Sequence, residues 1–268
     1  MPTAQINGIT LNYQIDGPGD AAETIVLING LADDLESWGF QIPALVDAGF
    51  RVLRFDNRGI GKSGAPAGNY SSRLLADDAK ALVDMLGIGK FHLMGVSMGG
   101  MIAQEYAIAY GSDLKSLTLA CTYGKADAFC QTMFAMWADL ARATSVPFVM
   151  RDVALWAFTG PFFEQRPGDA AEFAAAMAAL PMSLQAYLSQ LAVIQGHDAT
   201  DRLAAIVVPT LVLAGEEDIL IPVRLSKILQ EAIPAAHWAT VPGGHACLWE
   251  SPDPFNATFI DFVRSQSR

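Results

Sequence analysis

Short, continuous apolar runs recur along this chain, and the stretches between them carry apolar residues at helical spacing. The opening is different: Ala4-Gln5-Ile6 and Ile9–Ile15 flank Asn7-Gly8, a pair suited to the positive backbone angles of a two-residue hairpin turn. Two β-branched runs follow, Thr24–Ile28 ending at Asn29-Gly30 and Phe50–Phe55 ending at Asp56. Between them 38–48 has the period of a helix, and 74–86 places apolar residues at 75, 79, 82, 83 and 86, one face of another. Further runs stand at Phe91–Met94, Leu117–Ala120, Pro209–Ala214 and Trp238–Val241. Apolar strands separated by helices predict an α/β fold, with a mostly parallel sheet covered on both faces.

The rhythm breaks between about Thr122 and Ala204. That segment is rich in Ala, Met, Phe and Trp, lacks a strand pattern, and is punctuated by Pro147, Pro161, Pro167 and Pro181. It reads as four or five short helices inserted between two sheet strands. The expected organisation is a core of 1–121 and 205–268 with a helical cap, 122–204, over the strand ends.

Composition narrows the function classes. With 52% hydrophobic and 17% charged residues among 268, a large core is expected and disorder is not. A formal net charge of −11 argues against a nucleic-acid partner and against an anionic membrane surface. No apolar run approaches the roughly 18 residues of a membrane span, and the N-terminus lacks the basic and apolar regions of a signal peptide. Cys121, Cys130 and Cys247 have no metal-like spacing, and their odd number suits a reducing cytoplasm. No histidine–carboxylate cluster has metal spacing either, so neither metal nor cofactor is expected. The picture is a cytoplasmic enzyme or binder of small molecules, for which a homo-oligomer is compatible.

The chemistry concentrates at Gly95-Val96-Ser97-Met98-Gly99, between the strand Phe91–Met94 and a helical stretch from Met101. A G-x-S-x-G in a strand–turn–helix setting is a nucleophile elbow, whose serine is strained and projects above the sheet edge. Ser97 is therefore the expected nucleophile. Its hydroxyl needs a base, and the base a third group that fixes its tautomer. Of four histidines, His92 lies inside the strand feeding the elbow and His237 at the start of another, while His197 ends the cap. His245, in Val241-Pro242-Gly243-Gly244-His245, follows the last strand on a glycine loop, where ligands gather in open α/β sheets. It is the expected base. After the preceding strand, Glu216, Glu217 and Asp218 offer carboxylates; Asp218, just before Pro222, is favoured. Gly61-Lys62-Ser63 is not a phosphate loop, because Asp56 stands where the motif requires glycine.

The Ser-Met-Gly-Gly elbow, Asp56–Ser63, the Gly-x-x-Asp-x-x-x-Pro segment at 215–222 and Gly-Gly-His at 243–245 together resemble an α/β-hydrolase-fold protein over nearly the whole chain. Within that superfamily the chain is similar to capped serine hydrolases: esterases, enol-lactonases and cofactor-free haloperoxidase-type members. The resemblance implies an eight-stranded sheet with the cap after strand 6, and an acyl-enzyme mechanism using Ser97, His245 and Asp218. It implies an oxyanion hole from the backbone N–H groups of Met98 and Leu31. Most relatives carry histidine where this chain has Asn29; the donor being a backbone amide, the hole is expected to remain. Relatives use the Asp56–Ser63 segment to brace a strand end.

The cap's Met133, Met136, Trp137, Trp156, Phe158 and Phe162 are expected to form the substrate pocket. Basic residues are scarce in the cap, with arginines at Arg142, Arg151, Arg166 and Arg202, and no evident cluster grips a dicarboxylate. A neutral, fairly hydrophobic ester or lactone is therefore favoured over a 3-oxoadipate enol-lactone. Two alternatives accompany it: peroxide-dependent perhydrolase or haloperoxidase chemistry at the same site, and a non-catalytic small-molecule receptor.

Overall fold

Asn7 and Gly8 both take positive φ, 44° and 77°, and turn the chain between strands β1 (Thr3–Ile6) and β2 (Ile9–Asp16). The computed structural model describes residues 1–267. The remaining strands are β3 (Thr24–Ile28), β4 (Arg51–Phe55), β5 (Phe91–Val96), β6 (Leu114–Ala120), β7 (Thr210–Gly215) and β8 (His237–Val241). They form one eight-stranded sheet in the order β1-β2-β4-β3-β5-β6-β7-β8. β2 runs antiparallel to both neighbours, and every other pairing is parallel. β5 and β7 are buried at every position, as strands covered on both faces must be.

The helical period at 38–48 resolves into two pieces, a 3-10 turn at Leu35–Trp38 and helix α1 (Gln41–Asp47). α2 (Ser72–Met85) starts at Ser71, whose hydroxyl accepts from Leu74 N–H, and it packs on α3 (Met98–Tyr110). Five helices intervene between β6 and β7: α4 (Ala128–Ala143), α5 (Val146–Ala157), α6 (Gly160–Gln165), α7 (Pro167–Ala179) and α8 (Leu184–Gly196). Their starts are legible residue by residue. Asp127, Ser145, Thr159 and Ser183 each accept a hydrogen bond from the N–H three positions on, and Pro147, Pro161 and Pro167 sit in first turns, where a missing N–H costs nothing. The chain ends with α9 (Val223–Ala232), α10 (Cys247–Glu250) and α11 (Pro252–Gln266), the last packed against α1. No single helix among the described residues is long and apolar enough to cross a membrane.

The Asp56–Ser63 segment braces the end of β4. Asp56 accepts from Leu35 N–H (2.8 Å), Asn12 Nδ2 (2.8 Å) and Lys62 N–H (2.9 Å). Asn57 Nδ2 donates to Asn29 O at 3.1 Å, and Arg58 grips the buried Asp78 with bonds of 2.6 and 2.7 Å.

The elbow itself is a close backbone crossing. A Cβ on Gly99 would stand 2.1 Å from Ile28 O, and one on Gly95 2.1 Å from Gly99 O. Both obstacles are backbone atoms, so no side-chain rotation relieves them. Gly99→Ala is expected to destabilise the fold by more than about 3 kcal/mol, as severe overpacking does. A thermal melt by circular dichroism checks this; a melt unchanged from wild type would mean that β3 and α3 do not cross this closely.

Candidate active site

Ser97 sits at the junction of β5 and α3 with φ 56° and ψ −119°, a conformation that costs a non-glycine residue about 1–3 kcal/mol. The surroundings hold it there. Its N–H donates to Ala120 O at 2.9 Å, and its carbonyl accepts from Gly100 N–H at 2.9 Å and Thr122 Oγ1 at 2.8 Å. The side chain opens into a cavity whose wall also contains His245, Leu31, Asp33 and Trp137.

The loop after β8 carries His245, and the loop after β7 carries Asp218. Asp218 Oδ2 lies 2.9 Å from His245 Nδ1, while its Oδ1 accepts from Ile221 N–H at 2.8 Å. In the neutral imidazole this contact keeps the proton on Nδ1, donated to the carboxylate, and leaves the lone pair on Nε2. Burial pulls the His245 imidazolium down, but the charge and hydrogen bond of Asp218 outweigh it. With help from Asp33 they raise its pKa to about 9. Glu216 and Glu217 are exposed, off the imidazole.

Leu31 lies in the loop after β3, and Met98 opens α3. Among the described residues neither N–H donates to a backbone or side-chain acceptor. Asn29 braces this loop from inside: Nδ2 donates to Asp34 O, and Oδ1 accepts from Trp38 Nε1 at 3.0 Å. Gln190 of α8 braces it from above. Its Oε1 accepts from Ala32 N–H at 3.0 Å, where Ala32 has φ 56°, and its Nε2 donates to Arg58 O at 2.8 Å. Gln190→Leu leaves both backbone groups orphaned, at about 1–3 kcal/mol each. It is expected to lower the melting temperature and to reduce turnover about tenfold; unchanged values in both assays would remove Gln190 from the site's support.

The other histidines are structural. His92 is buried, with Nδ1 2.8 Å from Ser116 Oγ. His197 is buried between Ser72 Oγ (2.9 Å) and Gln104 Oε1 (3.2 Å), and burial drops its pKa to about 4. His237 is exposed at the first position of β8.

Cys121 and Cys247, 126 positions apart, bring their buried sulfurs to 3.5 Å behind the Asp218–His245 pair. Cys121 Sγ, an Asp218 oxygen and a His245 ring nitrogen lie within 4.8 Å of one another. The hydrogen bond with Cys247 and burial hold the Cys121 thiol protonated, and His245 Nδ1 is already committed to Asp218. This donor set suits a hydrogen-bonded pair backed by thiols better than a metal, whose ligands must be deprotonated.

A family model described as the α/β-hydrolase fold matches residues 23–252. The chain belongs to the α/β-hydrolase fold family. It is 32% identical to a protein named carbamate hydrolase RutD of Azorhizobium caulinodans, over 98% of each chain. The crystal structure of the enol-lactonase from Burkholderia xenovorans superposes with a TM-score of 0.91 at 30% identity, covering 98% of this chain and 100% of that one. A thermophilic esterase from Thermogutta terrifontis gives 0.88 at 26%, covering 99% and 97%.

As in the sequence-based expectation for this α/β-hydrolase, the inserted helices line the cavity, but with a different set of side chains. Of the six expected, only Trp137 reaches it; its Nε1 is fixed by Asp152 Oδ2 at 3.0 Å. Met133, Met136 and Trp156 line a separate outer groove of α4 and α5, and Met136 is 65% exposed. Phe158 and Phe162 stack on each other at 4.7 Å between centroids, within an aromatic cluster that reaches Trp249. The reason is helical phase. The inward face of α4 carries Phe134 and Trp137, three apart, so Met133 and Met136 fall on its flanks. Phe134, Val153, Ala157, Met177 and Ile194 supply the rest of the wall from the insertion. The four arginines are occupied elsewhere: Arg142 with Asp139, Arg166 with Asp169, Arg202 with Glu105, and Arg151 over the Phe148 ring.

Proposed function

We propose that this protein is a serine hydrolase that cleaves an uncharged carboxylic ester or lactone through an acyl-enzyme. The observation that carries the reading is the Asp218–His245 hydrogen bond of 2.9 Å, with His245 sharing one cavity with a serine held at φ 56°. In the first step Ser97 Oγ attacks the carbonyl carbon and its proton passes to His245 Nε2. The developing oxyanion is received by the N–H groups of Leu31 and Met98, the latter at a helix N-terminus. His245 then gives the proton to the leaving oxygen. Water repeats the sequence on the acyl-enzyme, releasing the acid and restoring Ser97. In a lactone the leaving oxygen stays tethered, and the product is a hydroxy acid. The apolar wall and the absence of Lys and Arg from it support an uncharged, hydrophobic acyl group. Similarity to proteins named esterase and enol-lactonase supports the reaction class.

The test is hydrolysis of a p-nitrophenyl ester chain-length series beside γ-, δ- and macrocyclic lactones, with fluorophosphonate labelling of Ser97. A peroxide-dependent bromination arm, with acetate present, separates hydrolysis from perhydrolysis. Turnover with labelling at Ser97 is the expected result; neither turnover nor labelling would leave a receptor built on a hydrolase fold.

A further inference from the structure

Asp33 is the one ionisable side chain besides His245 in the cavity wall, and the proposed mechanism leaves it without a task. Its position is close to the chemistry. Asp33 Oδ2 lies 3.0 Å from the point where a Cβ on Gly30 would stand, and Ser97 Cβ lies 3.5 Å from that same point. The missing side chain of Gly30 thus lets the carboxyl lean toward the nucleophile. Asp33 also lines an adjoining surface groove with Ser37, Phe173 and Leu180, so it stands where that groove meets the cavity. Its neighbour Asp34 has a structural role, accepting from Glu36 N–H at 2.9 Å to cap the 3-10 turn. For Asp33, burial with the Asp34 charge raises its pKa to about 7 against the pull of His245 and of the nearby Ser37 hydroxyl.

Such a group discriminates by what it can accept and what it repels. A carboxyl in a mostly apolar wall gains from a hydrogen-bond donor brought into its reach. A second carboxylate there meets like charge in a medium that screens poorly; the wall holds no lysine or arginine to offset it, and its one titratable cation, His245, is already paired with Asp218. We propose, building on the ester or lactone reading above, that Asp33 is a specificity-determining residue. It admits substrates that place a hydroxyl or N–H beside the reacting carbonyl and excludes those that place a carboxylate there.

The experiment compares three methyl esters of similar size, methyl butyrate, methyl 3-hydroxybutyrate and monomethyl succinate, by pH-stat on wild type, Asp33→Asn and Asp33→Ala. Wild type is expected to prefer the hydroxy ester over the succinate ester by about 10²-fold in kcat/KM. Asp33→Asn should narrow that ratio at least tenfold, and Asp33→Ala should also remove the advantage of the hydroxy ester over butyrate. A ratio cancels any common effect on His245 or on folding, so an equal fall on all three esters overturns the proposal. So does a wild-type preference for the succinate ester. Binding of the same esters to Ser97→Ala protein, followed by ligand-observed NMR, gives a readout without turnover. If binding ranks as expected and depends on Asp33 while no ester is hydrolysed, the hydrolase reading fails and this one stands. Hydrolysis with a ratio indifferent to Asp33 sinks this one and leaves the hydrolase standing, and neither binding nor hydrolysis overturns both.

Discussion

Ser97→Ala is expected to lower kcat/KM on every ester or lactone that the protein turns over by about 10⁴–10⁶-fold, leaving only what the cavity and oxyanion donors supply. The fold should survive. Alanine removes one hydroxyl, and the contacts that hold position 97 are made by its backbone N–H and carbonyl. Its φ of 56° strains serine and alanine alike, so melting temperatures should nearly coincide. Ser97→Gly separates the two roles further: it should be equally inactive yet more stable, by up to about 1 kcal/mol where relief of strain exceeds the added chain entropy. Initial rates and melts on the three proteins test both halves. Activity within tenfold of wild type in Ser97→Ala would place the nucleophile elsewhere.

Asp218→Asn is expected to cost about 10⁴-fold in kcat, because an amide holds the imidazole in place while favouring the wrong tautomer. The pH profile gives a second, independent signature. A histidine is a base only when neutral, and the pKa of His245 is raised to about 9. Wild-type kcat/KM should therefore climb with pH toward a midpoint near 9. Without the Asp218 charge, burial dominates and the midpoint should fall toward or below the ordinary histidine value of about 6.5. Linkage has the matching sign. A folded-state pKa above the unfolded one gives stability that is fully present below about 6.5 and is lost as pH rises through about 9. A profile with the same midpoint in Asp218→Asn would show that Asp218 is not the carboxylate acting on His245.

Ser97 was legible because the chemistry of a tight crossing leaves a mark in sequence: only glycine fits at 95 and 99, where added side chains would meet backbone 2.1 Å away. The meeting of His245 with Asp218 was legible because loops after parallel strands converge at one sheet edge. The helical insertion was visible in a broken strand rhythm, and its helix starts in prolines and small polar N-terminal residues. Its inward face was not. Choosing the large aromatics and methionines by type ignored phase, which turns Met136 outward while Trp137 points in. Asp33 was illegible for another reason. In sequence it is half of an Asp-Asp pair in a loop, and what distinguishes it from Asp34 is the path of the backbone over Gly30. Gln190 hid inside a helix, and the Cys121–Cys247 approach joins positions that no local pattern connects.

The two loops that carry the proposed chemistry are both anchored by the inserted helices. Gln190 of α8 fastens the loop that follows β3, and the Ala157 carbonyl at the end of α5 accepts the Ala246 N–H beside His245 at 2.9 Å. Thr159 then takes both carboxylate oxygens of Glu250, through its N–H at 2.7 Å and its hydroxyl at 3.0 Å. The insertion thus holds both loops in place and is not an interchangeable roof. A chimera that exchanges it for a relative's, to import a new substrate range, inherits an operative core only if the graft restores an amide side chain at 190 and a free carbonyl at 157. For this chain those two junctions, and not only the shape of the pocket, set what a graft must keep.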